Sequence, residues 1–599
     1  MTIPHARSAA RWTRKDSLPN AHGTNEPQAL QRSLADLEYR VKQFEALRSS
    51  LQANMPITKI LDAIHSFEAI TDLIARLTGY AELWLAEDTQ NADAQACSTL
   101  VDSTITKAKN KTMFFTLWWK GLPEAAADHI LSELPKYEYW LQQLRGSKAH
   151  TLSETVEQVI NLKNSTGATA IRNIYDAITS RYTFTLEADG ETHQLTDSGI
   201  WGYASHSDPD VRKRAFIELY RVYGNDAPIL GQIYITLVRD WYQEHVELRQ
   251  HKNAIAVRNR MNDLPDHIIE TLFTVCRENA PTFHRYFQLK ARWLGMDRMR
   301  RCDLAAPITT RRQKYTWEQA VDMTLDTFAS FDPLFHDLAL QVFQANHVDS
   351  EIRTGKRRGC WCIDFAPGVT PWVQIDYSGR VDDIAALAHE FGHAIHGMLA
   401  AHQPVFHYLP SIPLSEIGAL FSELLFADHI LQKTDDPEVC ISLRFKQLND
   451  AFAFLHRQIF FTFFECTAHR LIQEGASVED VAQAYLANVH EEFGDTVEIS
   501  DDVQWEWTLI FHLFHYPFYM YSYAFGQLLA LALYQQYKQE GESFKERFFA
   551  ILKAGGSDHP VTILAKAGID IESPDFWQGG YDVIRTMLED IEQIPLPSA

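Results

Sequence analysis

From about Gln28 onward the chain is patterned mainly in helical period. Leu30, Leu34, Leu37, Val41, Phe44 and Leu47 return at three- and four-residue intervals, the apolar stripe of an amphipathic helix. Near the middle of the chain Ile384, Ala388, Phe391, Ile395 and Met398 repeat the pattern on a more apolar background, which predicts a buried helix. Ser378-Gly379 reads as the break before it, and Asp382 and Asp383 place negative charge in its first turn, where the helix dipole favours it. Period-two alternation is rare. Residues 371–377 (PWVQIDY) and 359–365 (GCWCIDF) alternate and predict two short strands of one small sheet. A hairpin is expected where Tyr182-Thr183-Phe184-Thr185-Leu186 runs into a turn at Asp189-Gly190. Long helical patterns resume after Asp208-Pro209-Asp210-Val211-Arg212, with Ser207 or Asp208 as the cap. The expected fold is mainly α, with one small β-sheet beside the central helix. An N-terminal helical region is expected over residues 1–200 and a second region over 201–599.

Composition alters this picture in a few places. In 599 residues, 46% are hydrophobic and 12% aromatic, enough for a large core, and no repeat or long Pro/Gly/Ser linker divides the chain. Residues 1–26 are polar and expected to be loose. They lack the apolar segment of a secretory signal, and Asp16 among Arg7, Arg11 and Arg14 argues against a transit peptide. Residues 507–537 carry no charge, a span longer than the roughly 20 residues that cross a bilayer. They contain His512, His515, Pro517, Ser522 and three glutamines, so the expectation is a loop followed by a buried helix from about Phe518, not a membrane span. A net charge of -23 argues against a nucleic-acid partner, and the run Lys356-Arg357-Arg358 reads as a solvated turn. Seven scattered cysteines fit a reducing cytoplasm, and Cys360 and Cys362, which alternation points the same way, read as structural.

The candidate chemistry lies on the central helix. His389-Glu390-Phe391-Gly392-His393 puts two imidazoles four residues apart, on one helical face, spaced to hold a single zinc ion. Glu390 then sits beside the metal, placed to take a proton from a water. Gly392 costs a helix about 1 kcal/mol against alanine, which implies a close approach by another backbone. Zinc needs a third protein ligand. A histidine six residues past His393 would stand at position 399, which is Leu399, so that design is excluded. Glu416 and Glu423 are seven residues apart on one face of an apolar helix opened by Pro413, where two carboxylates are costly without cations or donors. Glu416 is the expected third ligand, and Glu423 the acceptor of a hydrogen bond from a ligand imidazole. His396, His402 and His407 read as ordinary polar or core histidines.

These residues, His389 to His396 followed by Ser415-Glu416-Ile417 and Phe421-Ser422-Glu423, resemble the thimet oligopeptidase / oligoendopeptidase F family of zinc metallopeptidases, closest to the oligoendopeptidase F branch. Residues 512–526 (HLFHYPFYMYSYAFG) are similar to the family's His- and Tyr-rich segment, although the branch usually has Thr where this chain has Phe525. The resemblance implies two helical lobes around a deep substrate channel, and an oligopeptidase F N-terminal-like stretch over about 110–190. It implies zinc, one per chain, on His389, His393 and Glu416, with Glu390 as general base. It also implies His512 and Tyr523 as donors to the tetrahedral intermediate. Substrate contacts are expected along the sheet edge at Gly359, Gln374 and Ile375 and at Tyr516, Tyr519 and Tyr521. The expected activity is zinc endopeptidase cleavage of short unstructured peptides in the cytoplasm. A dipeptidyl carboxypeptidase on the same zinc site and a non-catalytic zinc-stabilised peptide binder stand as alternatives. The sequence leaves open whether the protein is a monomer or a homo-oligomer.

Overall fold

Helix dominates the computed structural model, which is 74% helical and describes residues 11–19, 26–308 and 314–596. The mainly α expectation holds. The chain divides into two compact units, each assembled from three stretches: Met1–Lys148, Gln313–Lys433 and Gln536–Ile569 in the first; Ala149–Arg312, Thr434–Gln535 and Asp570–Ala599 in the second.

In the first unit the amphipathic stripe read from the sequence becomes the helix Glu26–Glu45, with Leu37, Val41 and Phe44 buried. It packs on the long helices Ile57–Glu87 and Ala92–Gly121, and Phe44 meets Phe67, Phe114 and Phe115 at ring distances of 5.2–5.7 Å. Asn91 caps the third helix by accepting from the Ala94 amide. Both strands predicted near the central helix form, as Trp361–Ile363 and Trp372–Gln374, antiparallel with Cys362 opposite Val373. A third strand, Val348–Asp349, runs parallel on the far side of Trp372–Gln374, which places the latter in the middle of the sheet.

Two readings in this unit need correcting. Residues 1–10 and 20–25 lie outside the described residues, and Arg7 with them, but 11–19 is not loose. Trp12 and Leu18 are buried, Thr13 accepts a hydrogen bond from the Trp372 indole at 2.7 Å, and Asp16 meets His347 at 3.3 Å. Trp12 packs with the sheet residues Trp361 and Trp372, Leu18 joins the core of the first helices, and these two burials outweigh the polar composition around them. Lys356, read as part of a solvated turn, is 7% exposed. Its ammonium donates to the carbonyls of Asp349, Glu351 and Ile375 and pairs with the Asp349 carboxylate at 3.1 Å. A buried ammonium is tolerated because each of its protons finds an acceptor.

In the second unit the hairpin forms as expected, Phe184–Ala188 paired with Glu191–Leu195, with Asp189 and Gly190 at φ +53° and +82° as its turn requires. Asp208 caps the 33-residue helix Pro209–Trp241 by accepting from the Asp210 amide. The uncharged stretch differs from expectation in detail. A short helix, Phe511–His515, stands where a loop was expected, and the buried helix starts at Tyr521, because Phe518 sits at φ +56° with its amide bonded to Glu465 at 2.8 Å. Among the described residues no helix is long and apolar enough to cross a membrane.

Candidate active site

The motif helix runs from Val381 to Ala400. It starts where the sequence breaks: Gly379 takes φ +91°, and the Asp383 carboxylate accepts from the amides of Ser378 and Arg380 and from the Ser378 hydroxyl at 2.7–3.0 Å. Ile384, Ala388, Phe391 and Ile395 are wholly buried, whereas Met398 is only partly so. That stripe fixes the rotation of the helix, and so directs His389 and His393, one turn apart, to the opposite side with about a fifth of each side chain exposed.

The second helix, Ile412–Lys433, crosses the motif helix at a pair of glycines. A Cβ on Gly392 would stand 2.3 Å from the Gly418 carbonyl oxygen and 2.5 Å from the Ala419 Cα, and one on Gly418 would stand 2.8 Å from the Gly392 carbonyl. The backbones therefore touch, as the glycine inside the motif implied, and the contact delivers Glu416 to the imidazoles. Gly392→Ala is expected to force the helices apart. Overpacking of this kind costs about 1–3 kcal/mol, read as a lower urea midpoint with unchanged slope; an unchanged midpoint would mean the crossing is loose.

One oxygen of Glu416 lies 3.7 Å from Nε2 of both His389 and His393, and the three candidate donor atoms all fall within 4.8 Å of one another. Nδ1 of His389 lies 3.3 Å from Glu423, which fixes the tautomer that turns Nε2 toward Glu416. Two imidazole nitrogens, one carboxylate oxygen and a carboxylate behind one ring are a donor set that fits a divalent cation.

The electrostatics carry the same stamp. Burial presses the His389 pKa down, but its bond to Glu423 and the charges of Glu390, Glu423 and Glu416 outweigh that and lift it to about 9. Burial pushes His393 down to about 4, against the attraction of Glu416. Burial raises Glu390 to about 7, opposed by His389 and reinforced by Glu416 and Glu423.

Other expected site residues are placed as follows. Gly359 opens the edge strand at φ +100°, its amide 3.2 Å from Asp376. Gln374 and Ile375 are fully buried in the middle of the sheet, and Tyr521 is fully buried with its hydroxyl bonded to Asn262 at 2.8 Å; enclosed side chains cannot touch a substrate. Tyr516 is half exposed. In the second unit the Tyr523 hydroxyl lies 3.4 Å from Nε2 of His512, and the Tyr519 ring lies 5.9 Å from that imidazole. Cys360 and Cys362 are free thiols outside the donor group, and His396 and His407 are buried core histidines. Sequence reasoning missed His515, whose Nε2 lies 2.9 Å from Asp176, because that partner is 339 positions away.

Comparison with known proteins agrees with this architecture. The model of peptidase family M3 matches residues 203–583, and that of oligopeptidase F matches residues 118–184. Oligopeptidase PepF of Bacillus subtilis is 26% identical over 554 residues, covering 89% of this chain and 81% of that one. Group B oligopeptidase PepB of Streptococcus agalactiae is 26% identical over 557 residues, covering 89% and 91%. Among solved structures, oligoendopeptidase-F of Enterococcus faecium superposes with a TM-score of 0.72 at 22% identity, covering 95% of this chain and 99% of that one.

Proposed function

The chain belongs to peptidase family M3, and from that premise we propose that it is a zinc-dependent endopeptidase that cleaves short, unstructured oligopeptides. The observation that carries the reading is the convergence of His389, His393 and Glu416 within 4.8 Å, with Glu390 on the intervening turn. We read residues 201–599 as the catalytic region and residues 1–200 as an N-terminal helical region.

Zinc, when bound by His389, His393 and Glu416, supplies a Lewis acid that lowers the pKa of water toward about 7 and takes up charge on the carbonyl oxygen. Glu390 removes the proton of the attacking water and passes it to the leaving amine nitrogen; this two-way transfer calls for a carboxyl whose pKa lies near neutrality. Burial raises the Glu390 carboxyl to about 7 in the free site, and a bound dication would lower it from there. Glu423 holds the His389 ring in its ligating tautomer. His512 and Tyr523 are assigned by family resemblance to the developing oxyanion, where a donor is worth about 2.7–4 kcal/mol.

Metal uptake is expected to release a proton, because His389 carries one up to about pH 9 in the free site and must lose it to ligate. Apparent zinc affinity should therefore rise about tenfold per pH unit between 6 and 8, measured by competition with a chromophoric chelator. A pH-independent affinity would contradict the arrangement.

The deciding experiment is metal analysis of the purified protein together with hydrolysis of a quenched fluorescent octapeptide with and without chelator. Cleavage of a C-terminally amidated peptide supports the endopeptidase; cleavage confined to peptides with a free carboxylate would favour a dipeptidyl carboxypeptidase. Stoichiometric zinc without turnover of any peptide would overturn the enzymatic reading.

A further inference from the structure

Three side chains of the helix Ala168–Thr179 grip the chain on both sides of His512. Arg172, Tyr175 and Asp176 are spaced three and four residues apart and share one helical face. Tyr175 is buried; its hydroxyl donates to the Thr508 carbonyl at 3.0 Å and its ring stacks on Phe514 at 3.9 Å. Arg172 Nε donates to the Phe514 carbonyl at 3.3 Å. Asp176 accepts from Nε2 of His515 at 2.9 Å, and the Phe511 ring stacks on the same imidazole at 3.9 Å. The anchored residues, 508, 514 and 515, bracket His512.

The need for such a clasp follows from helix physics. The helix that presents His512, Phe511–His515, has five residues, too few to hold its shape unaided. His512 reaches the Tyr523 hydroxyl across only 3.4 Å, so a small rotation of this turn would part the pair.

We propose that Arg172, Tyr175 and Asp176 are positioning residues for the peptidase reaction, which set the orientation of His512 and, through it, of Tyr523. The inference rests on the assignment of His512 and Tyr523 to the oxyanion. It gives a role in the chemistry to a helix within the stretch matched by the oligopeptidase F model, ahead of the family M3 match at 203–583. A partly exposed ion pair such as Asp176–His515 adds little to overall stability, so a catalytic effect can be separated from a structural one.

The test uses the full chain with zinc and the quenched octapeptide. Asp176→Ala and Arg172→Ala should each lower kcat roughly 10- to 100-fold, the loss a misplacement of about 1 Å brings, while KM and the urea midpoint stay near wild type. Asp176→Asn, which still accepts from His515, should recover most of the rate. Adding Asp176→Ala to His512→Ala should cost less than about twofold more, because residues acting through one another are not additive. If His512→Ala is impaired while both clasp variants keep wild-type kcat, the clasp is wrong and the oxyanion assignment survives. If His512→Ala itself retains wild-type kcat, the assignment fails and the clasp with it. A fall in urea midpoint that tracks the loss of rate, with no rescue by Asp176→Asn, would make the contacts merely structural.

Discussion

Glu390→Gln is expected to abolish peptide hydrolysis almost completely while leaving bound zinc at one per chain. The substitution keeps the size of the side chain and touches none of the three donor atoms that converge within 4.8 Å, so metal content should not change. What it removes is the proposed general base. General acid–base catalysis contributes about 10²- to 10⁴-fold, and a loss of that size in kcat, with KM little altered, is the expected result. The pH profile supplies an independent readout. The wild-type rate should fall as pH drops through the Glu390 pKa, because only the ionised form accepts a proton. Burial sets that pKa at about 7 in the free site, and a nearby dication favours the carboxylate and moves the limb lower. In Glu390→Gln this acid limb should vanish from the residual activity. A variant with wild-type kcat would remove Glu390 from the mechanism, and a variant lacking zinc would mean the residue helps to hold the site.

That this centre could be read from the sequence at all reflects how local its geometry is. His389 and His393 are one turn apart, and an apolar stripe on the same helix dictates which way they face. Glu416 was legible because two glutamates seven apart on an otherwise apolar helix demand a partner, and Gly392 because a helix interior tolerates glycine only for a reason. What escaped was non-local. Nothing near Lys356 announces that three carbonyls and the Asp349 carboxylate will surround its ammonium. Residues 11–19 gave too short a pattern to reveal that Trp12 would pack beside Trp361, with ring centroids at 5.3 Å. Phe525, the departure from the family's usual threonine, is fully buried and packs edge-on against Trp577 at 5.0 Å, a contact that favours an aromatic ring over a hydroxyl. Backbone pairing also falls in this class. The alternation of 371–377 predicted a strand, but not that it would be central and enclose Gln374 and Ile375.

The largest loss of stability is expected from Arg457→Met, in the second unit. Arg457 is buried between two carboxylates: it pairs with Glu492 and, at 2.7 Å, with Glu506, while its second terminal nitrogen also lies 3.1 Å from the Tyr485 hydroxyl. Glu506 is further held by Arg301 and by the hydroxyls of Tyr485 at 2.8 Å and Tyr220 at 3.2 Å. Burial works to raise the Glu506 pKa, but the two guanidinium groups prevail and hold it at about 2. A carboxylate with a depressed folded-state pKa contributes stability that is present above its unfolded value and is lost as pH falls toward 2. Methionine would fill much of the arginine's volume yet leave Glu492 without its guanidinium and Glu506 with one cation in place of two. Breaking a buried ion pair by removing one partner costs about 3–5 kcal/mol, which should appear as a large drop in urea midpoint. The desolvation argument makes a second, opposite demand. Pairing Arg457→Met with Glu492→Leu removes the stranded carboxyl, which burial already lifts to about 7, together with its partner, and should recover part of the loss even though it deletes one more polar contact. If the double variant is less stable than the single one, Glu492 is not the source of the loss in Arg457→Met and the orphaned-carboxylate argument fails. The outcome bears on the proposed role of His512 because Glu506 lies in the segment Asp501–Leu509, directly before the short helix that carries it. Through Arg457 and Tyr485 the network ties that segment to the helices Arg457–Gln473 and Val478–Phe493.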